Sequence, residues 1–273
     1  MDAAPIFWRE AAPESCDDHT PVAILLHGLG GSRIGWEPQL AALSTTHRVI
    51  AWDAPGYGGS NPVSDCTFDA YVEAVASLMA TVSPDQPVDL IGMSFGGMIA
   101  QYTAARYPER IRTLTLLCTS PKFGLDGTDP DEWRAARLSG LEAAGSPAAV
   151  APAILASLVG AGNEHVIPEA VRAMERVPLR GLLDSLSTIV DHDTRELLPT
   201  IEIPTLVLVG SLDEETPPAY AQAIVDLMPN AHLCVIDDAG HLLNLEAADV
   251  VSYEIAGHWQ RHAGGSSDEQ EKS

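Results

Sequence analysis

Three residue types in this sequence are spaced so that together they could activate a hydroxyl. Ser94 lies in Gly92-Met93-Ser94-Phe95-Gly96, Asp213 in Gly210-Ser211-Leu212-Asp213, and His241 in Ala239-Gly240-His241. A free serine hydroxyl is a weak nucleophile at neutral pH and needs an adjacent base. An imidazole is the natural base, and a carboxylate behind it fixes its tautomer and stabilises its charged form. Of the nine histidines, His241 is placed best, in a Gly-His loop just after the last expected strand. Glu214, Glu215, Asp237 and Asp238 compete with Asp213 as the acid. Asp213 is favoured because it directly follows the preceding strand at the same edge. The chain order nucleophile, acid, base is the one expected of a G-x-S-x-G elbow. The chemistry implied is acyl transfer.

Such a serine must be held by a strand, a sharp turn and a helix. Val88 to Ile91 reads as a buried strand and Met98 to Ala105 as a helix, with Ser94 at the apex between them. Gly92 and Gly96 flank it because a Cβ there would crowd the strand or the helix start. The Phe95 amide, at the helix N-terminus, points to where an oxyanion would form. A second glycine-rich loop, His27-Gly28-Leu29-Gly30-Gly31, leaves another buried strand at the same edge. Its Leu29 amide is the second expected oxyanion donor, worth ~3 kcal/mol of transition-state stabilisation. Gly28, Trp36 and Met98 are assigned to the substrate pocket, and Phe95 is expected to touch it. His27 reads as a structural residue that packs and hydrogen-bonds the glycine loop. The arginines Arg134, Arg137, Arg172, Arg176, Arg180 and Arg195 read as solvated helix faces.

The rest of the chain alternates strands with helices, which predicts an α/β fold with a mostly parallel sheet covered on both faces. Strands are expected at Ile6–Glu10, Val22–His27, Arg48–Asp53, Val88–Ile91, Thr113–Cys118, Thr205–Gly210 and His232–Asp237. Thr67 is an expected N-cap for a helix with apolar residues at Phe68, Tyr71, Val72, Val75 and Leu78. The rhythm breaks from Pro121 to Glu196, where helical patterns occur without a convincing strand. The expected organisation is a core of residues 1–120 and 197–263, a helical cap at 121–196, and a disordered tail at 264–273.

The 273 residues are 46% hydrophobic, enough for one domain with an inserted cap. The formal net charge of −23 argues against a nucleic-acid or anionic-membrane partner. The cysteines, Cys16, Cys66, Cys118 and Cys234, form no C-x-x-C, and neither a zinc site nor any other cofactor is expected. Cys118 and Cys234 are expected in buried strands. The N-terminus lacks a basic region followed by a long apolar run, so no signal peptide or membrane span is expected, and the cytoplasm is the default location. The expected partner is a small-molecule substrate.

Several stretches resemble the α/β-hydrolase superfamily over nearly the whole chain. They are Leu25-Leu26-His27-Gly28-Leu29-Gly30, Trp36-Glu37-Pro38-Gln39-Leu40, Gly92 to Gln101, Asp213-Glu214-Glu215-Thr216-Pro217-Pro218, and Ala239 to Glu246. The nearest likeness is to the 3-oxoadipate enol-lactonase-like group of esterases and lactonases. The resemblance implies a serine hydrolase of small carboxylic esters or lactones, with Ser94, His241 and Asp213 as triad. In that family the Asp before x-x-Thr-Pro-Pro is the triad acid. Two other readings stay open: a C–C bond hydrolase of meta-cleavage-type diketones, and a non-catalytic small-molecule receptor on the same fold. One departure is the N-terminus, where only about twenty residues precede the His-Gly strand. The first antiparallel strands of the family are therefore expected to be shortened or partly absent.

Overall fold

A computed structural model describes residues 5–263; the expected tail at 264–273 lies outside them. The described residues form a seven-stranded sheet of β1 (Trp8–Ala11), β2 (Val22–Leu26), β3 (Arg48–Trp52), β4 (Val88–Met93), β5 (Ile111–Leu117), β6 (Thr205–Gly210) and β7 (Ala231–Ile236). The order is β1-β3-β2-β4-β5-β6-β7. Only β1 runs antiparallel, pairing with β3; a single short strand thus stands where the family's antiparallel start was expected to shrink. Strands β2, β4 and β6 are buried along their full length, as their unbroken apolar runs require. Strand β7 is an edge, so Cys234 is only half-buried. That corrects the expectation of a buried thiol there; Cys118 is buried.

Helices α1 (Glu37–Leu43), α2 (Phe68–Val82) and α3 (Phe95–Arg106) connect the first strands. Thr67 caps α2, its hydroxyl accepting from the Ala70 amide at 3.2 Å. Phe68, Tyr71, Val72, Val75, Leu78 and Met79 then fall on one buried face. From β2 the chain first adds β3 on one side, then returns to place β4 on the other. That reversal opens a crevice beyond the carboxyl ends of β2 and β4. Both the glycine loop and the serine turn leave the sheet there.

Four α-helices lie between β5 and β6: α4 (Pro130–Ala144), α5 (Pro147–Leu158), α6 (Ile167–Met174) and α7 (Leu179–Ile189). The two ends of this segment are stapled together. Lys122 and Asp193 form a single antiparallel bridge, flanked by Phe123 N–H to His192 O at 2.8 Å and Thr194 N–H to Pro121 O at 2.8 Å. The segment therefore leaves and re-enters the sheet layer at one point and folds as a helical cap above the crevice. Helices α8 (Pro218–Leu227), α9 (Leu243–Glu246) and α10 (Ala248–Arg261) complete the chain.

Candidate active site

The serine turn is tight because two backbones touch across it. A Cβ on Gly92 would lie 2.3 Å from Gly96 O, and one on Gly96 would lie 2.3 Å from Leu26 O. Glycine is the only residue that fits either place. Ser94 itself sits at φ 51°, ψ −118°, a region that residues with a Cβ rarely adopt. The conformation lifts its hydroxyl out of the sheet while its amide bonds Leu117 O at 2.8 Å, anchoring the turn to β5.

His241 Nε2 lies 3.0 Å from Ser94 Oγ, and its Nδ1 lies 3.0 Å and 3.1 Å from the two oxygens of Asp213. A carboxylate can only accept, so Nδ1 carries the proton and Nε2 is free to accept from Ser94. Asp213 is fixed by the amides of Glu215 and Thr216, at 3.0 and 2.9 Å, and by the Thr216 hydroxyl at 2.9 Å. Burial alone would push the Asp213 carboxyl up. The charge and hydrogen bond of His241, with the Thr216 bonds, outweigh it, and the carboxyl stays below its usual range. Burial likewise pushes His241 down, but Asp213 first, then Glu215 and Glu246, carry it above its ordinary value. The pair is therefore built to hold an imidazolium.

Across the crevice, Gly28 comes so close to the serine that a Cβ on it would stand 3.2 Å from Ser94 Cβ. Among the described residues, the Leu29 and Phe95 amides have no hydrogen-bond acceptor. Two unspent N–H donors thus stand beside the hydroxyl, where charge would develop on an attacked carbonyl. His27 holds this loop from beneath. Its Nε2 accepts from the Ala54 amide at 3.0 Å, and its Nδ1 donates to Gly28 O at 2.9 Å. Burial lowers its pKa, so it is a neutral strut.

A cavity of 440 Å³ opens above Ser94 and His241, walled by the cap. Gly28 and Trp36 line it, as expected of substrate-pocket residues. Met98 does not: it is buried one turn into α3, on the side of the helix that faces the core. The Phe95 ring also misses the cavity, packing on Phe68 and Tyr71, so that only its amide faces the crevice. Met93 and Met174 are the methionines of the lining. Arg137 departs from its expected place on a solvated face. It lines the cavity, with its guanidinium 5.0 Å from the Trp133 ring centre and 3.4 Å from Glu215. Arg172, Arg176 and Arg180 are exposed. Thr216 and Glu246 lay within sequence stretches singled out above, yet no role was read from them; the Asp-x-x-Thr spacing was the available signal for Thr216.

Cys118 joins Asp213 and His241 in the grouping whose donor atoms lie within 4.8 Å of one another. Burial raises the Cys118 thiol well above its ordinary pKa, so it is a protonated thiol, and the other two spend their donors on each other. The set is unsuited to holding a metal.

Residues 23–252 match the model of the Alpha/beta hydrolase family. The chain belongs to that family. It is 31% identical, over 81% of its length and 87% of the relative's, to pimeloyl-[acyl-carrier protein] methyl ester esterase of Chromobacterium violaceum. It is 32% identical to part of polyketide synthase ThaQ of Burkholderia thailandensis, of whose length it spans only 11%. Among solved structures, the enol-lactonase from Burkholderia xenovorans superposes with a TM-score of 0.82 at 25% identity, covering 95% of this chain and 98% of that one. Among the described residues, no helix is long and apolar enough to cross a membrane.

Proposed function

We propose that this α/β hydrolase cleaves a small carboxylic ester or lactone through an acyl-enzyme on Ser94. The observation that carries the proposal is the unbroken line Asp213–His241–Ser94, with bonds of 3.0 Å at each step, beside two amides that have no other partner among the described residues. His241 Nε2 takes the serine proton as Oγ bonds to the carbonyl carbon. The oxyanion rests on the Leu29 and Phe95 N–H groups. His241 then returns the proton to the departing alkoxide as the ester C–O bond breaks. In a lactone that alkoxide stays tethered to the acyl group. Water, deprotonated by the same imidazole, releases the acid.

The cavity narrows the substrate class. Its walls are largely apolar, with Trp36, Leu141, Ile154, Leu155 and Met174 among them, and its charged groups, Arg137 and Glu215, face each other. A volume of 440 Å³ is typical of small-molecule sites. An uncharged, largely apolar ester or lactone fits this lining. The relatives named for esterase and enol-lactonase activity support both bond types.

Intact-protein mass spectrometry after fluorophosphonate treatment, with Ser94→Ala alongside, is the direct test. One adduct, absent in the variant, is expected. A variant that kept full hydrolytic activity would sink the proposal. A panel of simple esters, lactones and a ring-fission diketone then separates ester cleavage from C–C cleavage. Because His241 must be neutral to accept a proton and its pKa is raised, kcat/KM should climb with pH through a value above ~6.5 and fall away below it.

A further inference from the structure

We propose that Glu246 is a positioning residue that makes the pose of His241 depend on the docking of the cap. It rests on the reading of His241 as the base. Glu246 is the last residue of α9, five positions after His241, and its side chain turns back onto the loop that carries the histidine. Oε2 accepts from the Gly240 amide at 2.7 Å and Oε1 from the Leu242 amide at 2.9 Å. The carboxylate therefore grips the backbone on both sides of His241 without touching its ring. Oε2 also accepts from two cap groups, the Gly160 amide at 2.8 Å and Asn163 Nδ2 at 3.2 Å.

The cap adds bonds of its own to the same loop. His241 N–H donates to Leu158 O at 2.8 Å, and Asn163 Nδ2 donates to Asp238 O at 2.7 Å. The two backbones meet with no room for a side chain. A Cβ on Gly160 would stand 2.8 Å from Gly240 N, and one on Gly240 would stand 2.4 Å from Gly160 N. One carboxylate is thus shared between the cap and the catalytic loop. When the cap lifts, the loop loses the Leu158 and Asn163 bonds and Glu246 loses half its donors. His241 is then held chiefly through its ring by Asp213. The base is fully posed only when the cap is seated, which confines the activated serine to the closed, desolvated cavity.

Glu246→Gln separates this role from simple packing. The four donors divide three to one between the two oxygens, and an amide has only one acceptor oxygen. Whichever way Gln turns, its NH2 faces at least one N–H. With p-nitrophenyl butyrate as probe, kcat should fall about 100-fold while KM changes little. The His241 ring resonances, followed by NMR, should titrate at lower pH, because Asp213 and Glu215 then remain as the anions facing the ring, with the Cys118 thiol beside it. Wild-type kcat together with an unmoved ring titration would overturn the proposal. A ring titration that moves while even the wild type turns over no ester would retain the positioning role and sink the hydrolase reading. If Glu246→Gln fails to fold, Gly160→Ala decides, since it pushes the cap backbone off Gly240 with the carboxylate intact. A lower kcat well below its melting temperature supports the proposal, and an unchanged kcat overturns it.

Discussion

Each end of the sheet buries a carboxylate beside a histidine and a threonine, yet at only one end does the histidine turn a ring nitrogen onto a serine hydroxyl. At the amino end of β4, Asp89 accepts from Arg112 Nε at 3.0 Å and from Thr113 Oγ1 at 2.6 Å, with His47 Nε2 at 3.4 Å. Arg112 also engages the second oxygen of Asp89 and donates to His47 Nε2 at 3.0 Å. His47 Nδ1 is met by Thr46 Oγ1 at 2.8 Å, and its ring lies 3.9 Å from that of Trp259. Both carboxylate oxygens and both ring nitrogens there are engaged. At the carboxyl end, among the described residues, Asp213 has no guanidinium; its only cationic partner is the imidazole itself. The imidazole keeps one nitrogen for Ser94, and a cavity lies above. The same residue types make a staple where a forked cation closes the network, and a base where the network ends on a hydroxyl.

The two aspartates should therefore fail in opposite ways. Asp213→Asn should lower kcat about 10⁴-fold, because the amide no longer selects the productive tautomer, while the protein still folds. Asp89→Asn should leave kcat near wild type but cost about 3–5 kcal/mol in urea unfolding, since it strands a half-buried guanidinium. Full activity in the first variant, or unchanged stability in the second, would break the comparison.

That contrast also marks what the sequence makes legible. The glycines, the serine turn and the Gly-His loop are dictated by local backbone geometry, so Ser94, Asp213, His241 and the Leu29 loop could be placed from spacing. The helical character of the cap was visible in its patterning. The contacts of its helices were not, because a helix pattern says which face is buried but not against what. Arg137 thus read as solvent-facing though it lines the cavity. Met98 and the Phe95 ring read as pocket groups, but helix geometry turns them into the core. Cys234 sits in an apolar run whose sheet position, at the edge, depends on strand order. Glu246 also reaches across 86 residues to Gly160, a pairing that no local pattern encodes.

Another buried histidine sharpens the comparison. His192, at the return of the cap, donates from Nε2 to Ser120 O at 2.8 Å, and its Nδ1 has no partner among the described residues. Burial, with no carboxylate bonded to its ring, pushes its pKa down to about 4. The unfolded residue takes its proton near ~6.5. Stability is therefore fully present above that pH and is lost as pH falls toward about 4, by about 3 kcal/mol. His241 works in the opposite sense: its raised pKa gives stability that is complete below ~6.5 and fades as pH climbs through its folded value. Urea midpoints of wild type and His192→Gln between pH 7 and 4.5 test this. The variant, with nothing to protonate, should lose less stability on acidification. An equal loss in both would place the acid sensitivity elsewhere, His258 being the other buried histidine with a pKa lowered to about 4.

The smallest expected effect comes from the cavity mouth, where Arg137 and Glu215 repeat the arginine–carboxylate pairing of Arg112 and Asp89 in water. Their side chains are 34% and 35% exposed, against none for Asp89. An exposed pair is worth ~0–1 kcal/mol, since water screens the charges and two long side chains must be ordered. The guanidinium over Trp133 adds about 0.5–1 kcal/mol. Arg137→Met preserves most of the apolar stem, so urea unfolding should shift by less than ~2 kcal/mol. KM for an uncharged ester should change only a few-fold, because the substrate meets the stem and the ring rather than the charge. The informative comparison is with Asp89→Asn. If Arg137→Met costs as much stability as that variant, burial is not what distinguishes the two pairs, and the main latch of the cap is this contact to the Asp213 loop rather than the Glu246 carboxylate on the His241 loop.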